Sequence, residues 1–169
     1  MVETGRLLII PLDYDELDLY LQADGKLENK LQLADNGRTI SPDVREMVTR
    51  FTLPNMKLAT RDHYLFFTFW LVVEKSARTI VAELGFKGVP GKKGGIEIGY
   101  GTLPAERGKG YMKEALGGMI AWAQKRPDVH FILAETDEKN IASIRVVQHN
   151  NFQLHKIKGK MLWWKSELK

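Results

Sequence analysis

The segment Glu106-Arg107-Gly108-Lys109-Gly110-Tyr111-Met112-Lys113-Glu114 joins a stretch with strand-like alternation to one with helical spacing. At such a junction the backbone N–H groups of the first helical turn have no intrahelical acceptor and point outward together. Gly108 and Gly110 let the backbone approach an anion without Cβ interference, and the positive end of the helix dipole, with Arg107 and Lys109, favours negative charge. The chemistry on offer is anion binding along residues 107–112, on the scale of a pyrophosphate. The same two glycines would equally shape a plain tight turn, so the pair by itself leaves both readings open. Two nucleotide motifs are excluded by spacing. GxxxxGK[ST] is absent, and a GxGxxG beginning at Gly108 meets Lys113 at its last glycine position.

Other reactive side chains are sparse. There is no cysteine, which removes disulfides, thiolate metal sites and cysteine nucleophiles together. His63, His130, His149 and His155 show no metal-ligand spacing and are expected to be structural, so no metal is expected. Trp70, Trp122, Trp163 and Trp164 fit core or rim packing better than a base-stacking platform. The net charge of +4 is spread among 21 acidic residues, which argues against nucleic acid and suits a ligand carrying several phosphates.

The elements that must position these residues follow from periodicity. Arg6 to Pro11 reads as a short apolar strand, and Asp13 to Leu21 as a helix. From Asp24 to Asn55 the pattern stays helical in pieces, with Ser41-Pro42 marking a fresh start. Leu65 to Val73 is apolar on both faces, as a strand between two layers must be, and Thr79 to Phe86 is its expected hairpin partner. Gly88 to Gly95 is an exposed connection. Ile96 to Thr102 alternates, with Ile96, Ile98 and Tyr100 on one face and Glu97, Gly99 and Gly101 on the other, a glycine face open to close approach. A helix from Gly110 to Gln124 puts Met112, Leu116, Met119, Ile120 and Ala123 on one stripe. A strand at His130 to Glu135, a helix at Asn140 to Asn150 and a closing strand pair from Phe152 to Lys165 complete the order. With 169 residues and no linker or repeat, one α+β domain spanning 1–169 is expected, an α/β sandwich of helices around a mixed sheet. The start of the chain has no basic segment followed by an apolar core and no run is long enough to span a bilayer, so a cytoplasmic protein without membrane contact is expected.

The stretches IEIGYGTLPAERGKGYMKEAL and AETDEKNIASIRVVQHNNF resemble the GNAT superfamily of acyltransferases, in particular the branch of ribosomal-protein N-terminal acetyltransferases. The likeness covers Ile96 to Phe152, about half the chain, with a looser echo in GRLLIIPLDYDELDLYL. It implies a mostly antiparallel sheet splayed at its centre, with helices on both faces. It implies acetyl-CoA as co-substrate, with the pyrophosphate on the [QR]xxGx[GA] turn that maps to Arg107, Gly110 and Met112. Gly108, Lys109 and Tyr111 then belong to the same turn, and Met112 stands where the motif has a small residue. Pantetheine is expected between the strands Ile96 to Leu103 and His130 to Glu135, held by backbone groups near Thr102 and Leu103. The second motif, NxxSxxxxxKxGF, is carried by Asn140, Ser143 and Phe152, with His149 for the lysine and Asn151 for the glycine. Asn140 and Ser143 also suit a plain helix start, but beside the phosphate turn they are assigned to the pantetheine end.

Acetyl transfer from a thioester needs a neutral amine, alignment, a stabilised carbonyl oxygen and a proton for the thiolate. Glu97 is the first choice of base, because it shares the glycine face beside the expected thioester, and Glu83 and Glu135 also lie on expected strands. Family members often use a late tyrosine as acid; Gln153 to Lys169 contains none, so Ser143 takes that role. The function expected is direct transfer in a ternary complex to a primary amine, of a small molecule or a protein amino terminus, by a monomer or homodimer. The alternative is a non-catalytic acyl-CoA-binding or sensing module.

Overall fold

The computed structural model describes residues 1–60 and 63–168. The short strand Val2–Glu3 (β1) turns into Leu7–Pro11 (β2). Helix α1, Tyr14–Gln22, follows a capping box in which Asp13 accepts from the Glu16 N–H at 2.7 Å and Glu16 accepts from the Asp13 N–H at 2.9 Å. Helix α2 is only Lys26–Lys30. Residues 31–41 are not helical, contrary to the periodicity. Their polar groups are tied to the sheet instead, with Ala34 N–H donating to Arg78 O at 2.9 Å and the Asn36 amide to Ile80 O at 2.8 Å.

Ser41 caps helix α3, Pro42–Met47, as its sequence suggests, accepting from the Val44 N–H at 3.3 Å. The rod then widens into a π-turn at Val48–Thr52 and continues as α4, Leu53–Leu58, with right-handed backbone at both junctions. Pro54 is the physical cause: it has no N–H for the carbonyl of Arg50, and its ring crowds that turn. The amide of Asn55 donates to Phe51 O at 2.7 Å, meeting one carbonyl there.

The apolar run at Leu65 becomes a strand later than its hydropathy suggests. Tyr64–Phe66 form a 3₁₀ turn, and β3 spans Phe69–Glu74. The N–H groups of Phe67 and Thr68 both donate back to Tyr64 O at 2.9 Å, and the Trp70 indole donates to Leu65 O at 3.0 Å. Local bonds thus replace a ladder, which an apolar run alone cannot reveal. Strands β4, Thr79–Phe86, and β5, Gly95–Thr102, follow, then helix α5, Tyr111–Gln124, strand β6, Phe131–Asp137, helix α6, Ile141–His149, and the pair β7, Gln153–Lys158, and β8, Met161–Glu167.

The sheet order is β1-β2-β3-β4-β5-β6-β8-β7, antiparallel throughout except for the parallel pair β5 and β6. Trp70, Val72, Ile96 and Ile98 on one face pack with Leu116 and Met119 of α5 and Val147 of α6. Phe69, Leu71, Val73 and Ile80 on the other face pack with Leu17 and Tyr20 of α1 and Val48 of the π-turn. Both faces of β3 are covered, which is why Phe69 to Val73 are all buried. Trp122 stacks on Phe86 at 5.5 Å and meets Trp70 edge-on at 5.3 Å, so these aromatics are core packing.

Candidate active site

Strand β5 is paired with β4 out to Thr102, but with β6 only as far as Ile98 opposite Ala134. Strand β6 continues beside β8 to Asp137. The β6-facing edge of Gly99–Thr102 therefore has no ladder partner, and the sheet splays there into a cleft. Unpaired strand edges present alternating donors and acceptors that an extended ligand can meet.

The glycine turn lies at the end of β5. Gly108 and Gly110 have φ of 78° and 79°, a left-handed backbone that favours glycine, and Gly110 is the residue from which α5 starts. A Cβ at Gly108 would find no heavy atom within 4 Å, so the turn is open on that side. Lys109 pairs with Glu106 at 2.9 Å, and its carbonyl accepts from Arg6 Nη1 at 3.1 Å. Arg6 is itself fixed by Glu114 at 2.8 Å and lies over the Tyr111 ring at 4.9 Å. Burial opposes ionisation of Glu114, but bonds from the Arg6 N–H, the Thr4 hydroxyl and the Arg6 side chain outweigh it and hold the carboxyl below its usual range. Arg6 is an anchor of this turn that no local motif pointed to, since it comes from the β1–β2 connection.

Met112, in the position where a small residue was expected, is buried in the core beneath α5, so its side chain turns away from the anion cradle. Arg107 folds back, with Nε 3.5 Å from Thr102 O. Both backbone groups of Leu103 are engaged, its N–H with Val81 O at 3.0 Å and its carbonyl with the Glu106 N–H at 2.9 Å. Beside the turn, Arg6, Lys109, Lys113 and His149 line an open basic recess with Asn150. Asn151 takes a φ of 62°, the left-handed helix end for which asparagine is suited.

Across the cleft, Asn140 caps α6 by accepting from the Ser143 N–H at 3.1 Å. The Ser143 hydroxyl lies 2.8 Å from the Tyr100 hydroxyl, which is also 3.3 Å from Ser143 O. Burial pushes the Tyr100 phenol up, opposed by its bond to Ser143, so it stays protonated. Alternation places Tyr100 on the core face of β5. Its partner could have been sought on the grounds that a buried tyrosine hydroxyl needs one.

On the opposite face a cavity of about 390 Å³ sits above the glycine face. Its floor includes Gly85, Gly99 and Gly101, and a Cβ at Gly101 would meet nothing within 4 Å. Its roof is Val44, Met47 and Phe51 from α3 and the π-turn. Of the candidate bases Glu83, Glu97 and Glu135, Glu83 lines this cavity. Glu97 is ion-paired with Lys87, whose ammonium also lies 3.7 Å from Glu135. Burial raises the Glu83 carboxyl above its ordinary range, partly opposed by a 2.5 Å hydrogen bond from the Tyr20 hydroxyl and by the charge of Arg38. Burial and the Glu83 charge in turn hold the Tyr20 phenol in its protonated, donating form. Arg38 stands 4.5 Å over the Tyr20 ring, donates to Tyr20 O at 3.1 Å and pairs with the buried Glu28 at 2.6 Å.

A family model described as an acetyltransferase (GNAT) domain matches residues 6–153. The chain belongs to the GNAT acetyltransferase family. An uncharacterized N-acetyltransferase, YjdG, of Bacillus subtilis (strain 168) is 30% identical over 164 residues, covering 97% of this chain and 96% of that protein. Among solved structures, a ribosomal-protein-S5-alanine acetyltransferase from Vibrio fischeri matches with a TM-score of 0.68 at 19% identity, covering 98% of this chain and 94% of the other. RimL, a ribosomal L7/L12 alpha-N-protein acetyltransferase in complex with coenzyme A, matches at 0.66 and 17%, covering 97% of this chain and 95% of its own. The splayed, mostly antiparallel sheet with helices on both faces is the GNAT fold, and the protein is an acetyltransferase. Among the described residues, no group of three His, Cys, Asp or Glu side chains could hold a metal, and no helix of this GNAT chain is long and apolar enough to cross a membrane.

Proposed function

We propose that the protein transfers acetyl from acetyl-CoA directly to a primary amine, with both substrates meeting at Gly99–Gly101. One observation carries this reading: the unpaired edge of β5 opens to the cleft, while the same glycines floor the cavity. Donor and acceptor can therefore reach one stretch of backbone from two sides, which supplies the alignment such a transfer needs. The residues fit the donor. Left-handed Gly108 and Gly110 free the first-turn N–H groups of Tyr111, Met112 and Lys113 for a pyrophosphate. Lys109, Lys113 and His149 supply positive or donor groups in the recess beside it, and the complex of RimL with coenzyme A supports the same choice. Acetyl-CoA brings an activated thioester; the chain supplies position and proton transfer.

Glu83 is the preferred base. It is the carboxylate lining the cavity, and burial shifts its basicity toward that of an amine, whose pKa near 10.4 leaves it mostly protonated at neutral pH. Glu97 does not line that cavity and is ion-paired with Lys87. Ser143, held at 2.8 Å by Tyr100, is positioned to return a proton to the departing thiolate, with Asn140 fixing the helix start beneath it. Calorimetric titration with acetyl-CoA followed by thiol release across a panel of amines tests this directly. Saturable acetyl-CoA binding and amine-dependent thiol release are expected; absence of acetyl-CoA binding would overturn the reading.

A further inference from the structure

We infer that the acceptor is a small, singly charged primary amine carried on an apolar, preferably aromatic, body. The inference rests on the acetyltransferase reading above and deepens it by naming the substrate class. The cavity that faces Gly99 and Gly101 is walled by Val44, Met47, Phe51, Phe67 and Phe69, and its volume of about 390 Å³ suits a small molecule. Phe51 meets Phe67 edge-on at 6.3 Å, so two aromatic faces stand at the entrance. Both are partly exposed, Phe51 at 38%, while Met47 beside them is 40% exposed. Large apolar side chains left in contact with solvent around a concavity gain when an apolar ligand covers them.

The polar inventory of the cavity sets the charge of the occupant. Among the described residues that line it, Glu83 is the one carboxylate. The hydrogen bond from Tyr20 uses Oε2, which leaves Oε1 for an incoming ammonium. Among the described lining residues the one cation is Lys87, and its charge is met by Glu97 and Glu135. A polyamine or an aminoglycoside would bring second and third charges against phenyl rings or toward Lys87, with no second carboxylate among the described lining residues to receive them. A peptide amino terminus would bring amide groups. The hydroxyl of Thr68, which could have met one, is already bonded to Leu12 O at 2.6 Å. One positive charge at Glu83 and an apolar remainder against Phe51 and Phe67 is the combination this wall satisfies.

The test uses the full chain with acetyl-CoA and follows thiol release with 2-phenylethylamine, hexylamine, spermidine, kanamycin and an Ala-initiated peptide. The two apolar amines are expected to exceed the other three in kcat/KM by at least tenfold. Phe51→Ala is expected to raise KM for 2-phenylethylamine about tenfold, leaving acetyl-CoA affinity and the melting temperature near wild type, because Phe51 is at the surface. A preference for spermidine, kanamycin or the peptide overturns the inference while leaving the acetyltransferase reading intact. Calorimetry of 2-phenylethylamine with the CoA-saturated protein gives a second readout independent of turnover. Binding weakened by Phe51→Ala supports the inference, and no binding overturns it. Failure of the acetyltransferase reading itself shows separately, as no binding of acetyl-CoA.

Discussion

The Tyr20 hydroxyl donates a 2.5 Å hydrogen bond to Glu83, joining the first helix of the chain to the carboxylate that lines the cavity. Tyr20 is in turn clamped by Arg38 above its ring and at its carbonyl. The bond stabilises the Glu83 carboxylate, while burial opposes it, and burial prevails. The acid limb of the pH–rate profile for kcat/KM is therefore expected above the ordinary carboxylate range. Tyr20→Phe removes the opposing bond and should move that limb further up in pH. Glu83→Gln should abolish it and reduce turnover by about 10²-fold or more, in keeping with the loss of a positioned base. A limb unmoved by Tyr20→Phe would show that Glu83 is not the group titrating.

The same shift has a consequence for stability. Because the folded-state pKa of Glu83 is raised, the folded chain binds more protons than the unfolded one between the two pKa values, so the carboxylate costs stability at higher pH. The melting temperature of Glu83→Gln is expected to exceed wild type near pH 8. That advantage should shrink as pH falls through the folded pKa, where the wild-type side chain becomes neutral. Thermal unfolding across pH 4 to 8, measured as roughly five points, checks the sign.

The shape of the glycine turn and of the α6 cap was legible in the sequence because its determinants are local. Gly108 and Gly110 stand where positive φ is needed, and Asn140 caps α6 through the Ser143 N–H in the next motif. The partners of the strand carboxylates were not legible in this way. Glu83 and Glu97 fall on one face of the sheet by simple alternation, with Glu135 close by across Lys87, and the sequence put Glu97 first only for its place beside Gly99 and Gly101. What separates them is their partners: Tyr20, far along the chain, bonds Glu83, while Lys87 pairs with Glu97 and lies near Glu135. Residues 31–41 and Leu65 to Thr68 misled for a related reason. Their apolar side chains reach the core from irregular backbone whose bonds are supplied by residues such as Arg78 and Tyr64.

Glu114 ties the start of the chain to the glycine turn, and its pKa shift has the opposite sign. Its folded value is lowered by Thr4 and Arg6, so its contribution is present above the unfolded value, about 4.3, and is lost as pH falls through the folded one. Glu114→Gln should therefore lower the melting temperature at pH 7 and converge with wild type at acid pH, as the pH falls through the folded value. It should also weaken acetyl-CoA binding, because Arg6 would no longer be held beneath the Lys109 carbonyl. Equal melting at both pH values would discount the ion pair.

Gly110 separates backbone conformation from crowding. Its φ of 79° disfavours any side chain, while a Cβ there would come no closer than 3.6 Å to Arg6 Nη2. Gly110→Ala is expected to cost about 1–2 kcal/mol from conformation, a few degrees of melting temperature for a domain of this size. Gly108→Ala, at φ 78° with open space, should cost a similar amount. Both should raise the Kd for acetyl-CoA, since relaxing the strain rotates the first-turn N–H groups; unchanged affinity in both would remove the turn from the donor site.

The Tyr100–Ser143 contact distinguishes a proton donor from a helix cap. Ser143 contributes its backbone N–H to Asn140 and its hydroxyl to Tyr100, so Ser143→Ala keeps the cap and loses only the hydroxyl. If that hydroxyl returns the proton to the thiolate, kcat at saturating acetyl-CoA should fall about 10²-fold or more, in line with general acid catalysis, with little change in the acetyl-CoA Kd or the melting temperature. Tyr100→Phe leaves Ser143 in place but removes its orienting partner, and a smaller fall is expected, again in kcat. The thiol leaving group sharpens the test. Acyl donors with a more acidic thiol need less proton assistance, so the deficit of Ser143→Ala should narrow with such a donor. A deficit of the same size for both donors would return Ser143 to a purely structural part.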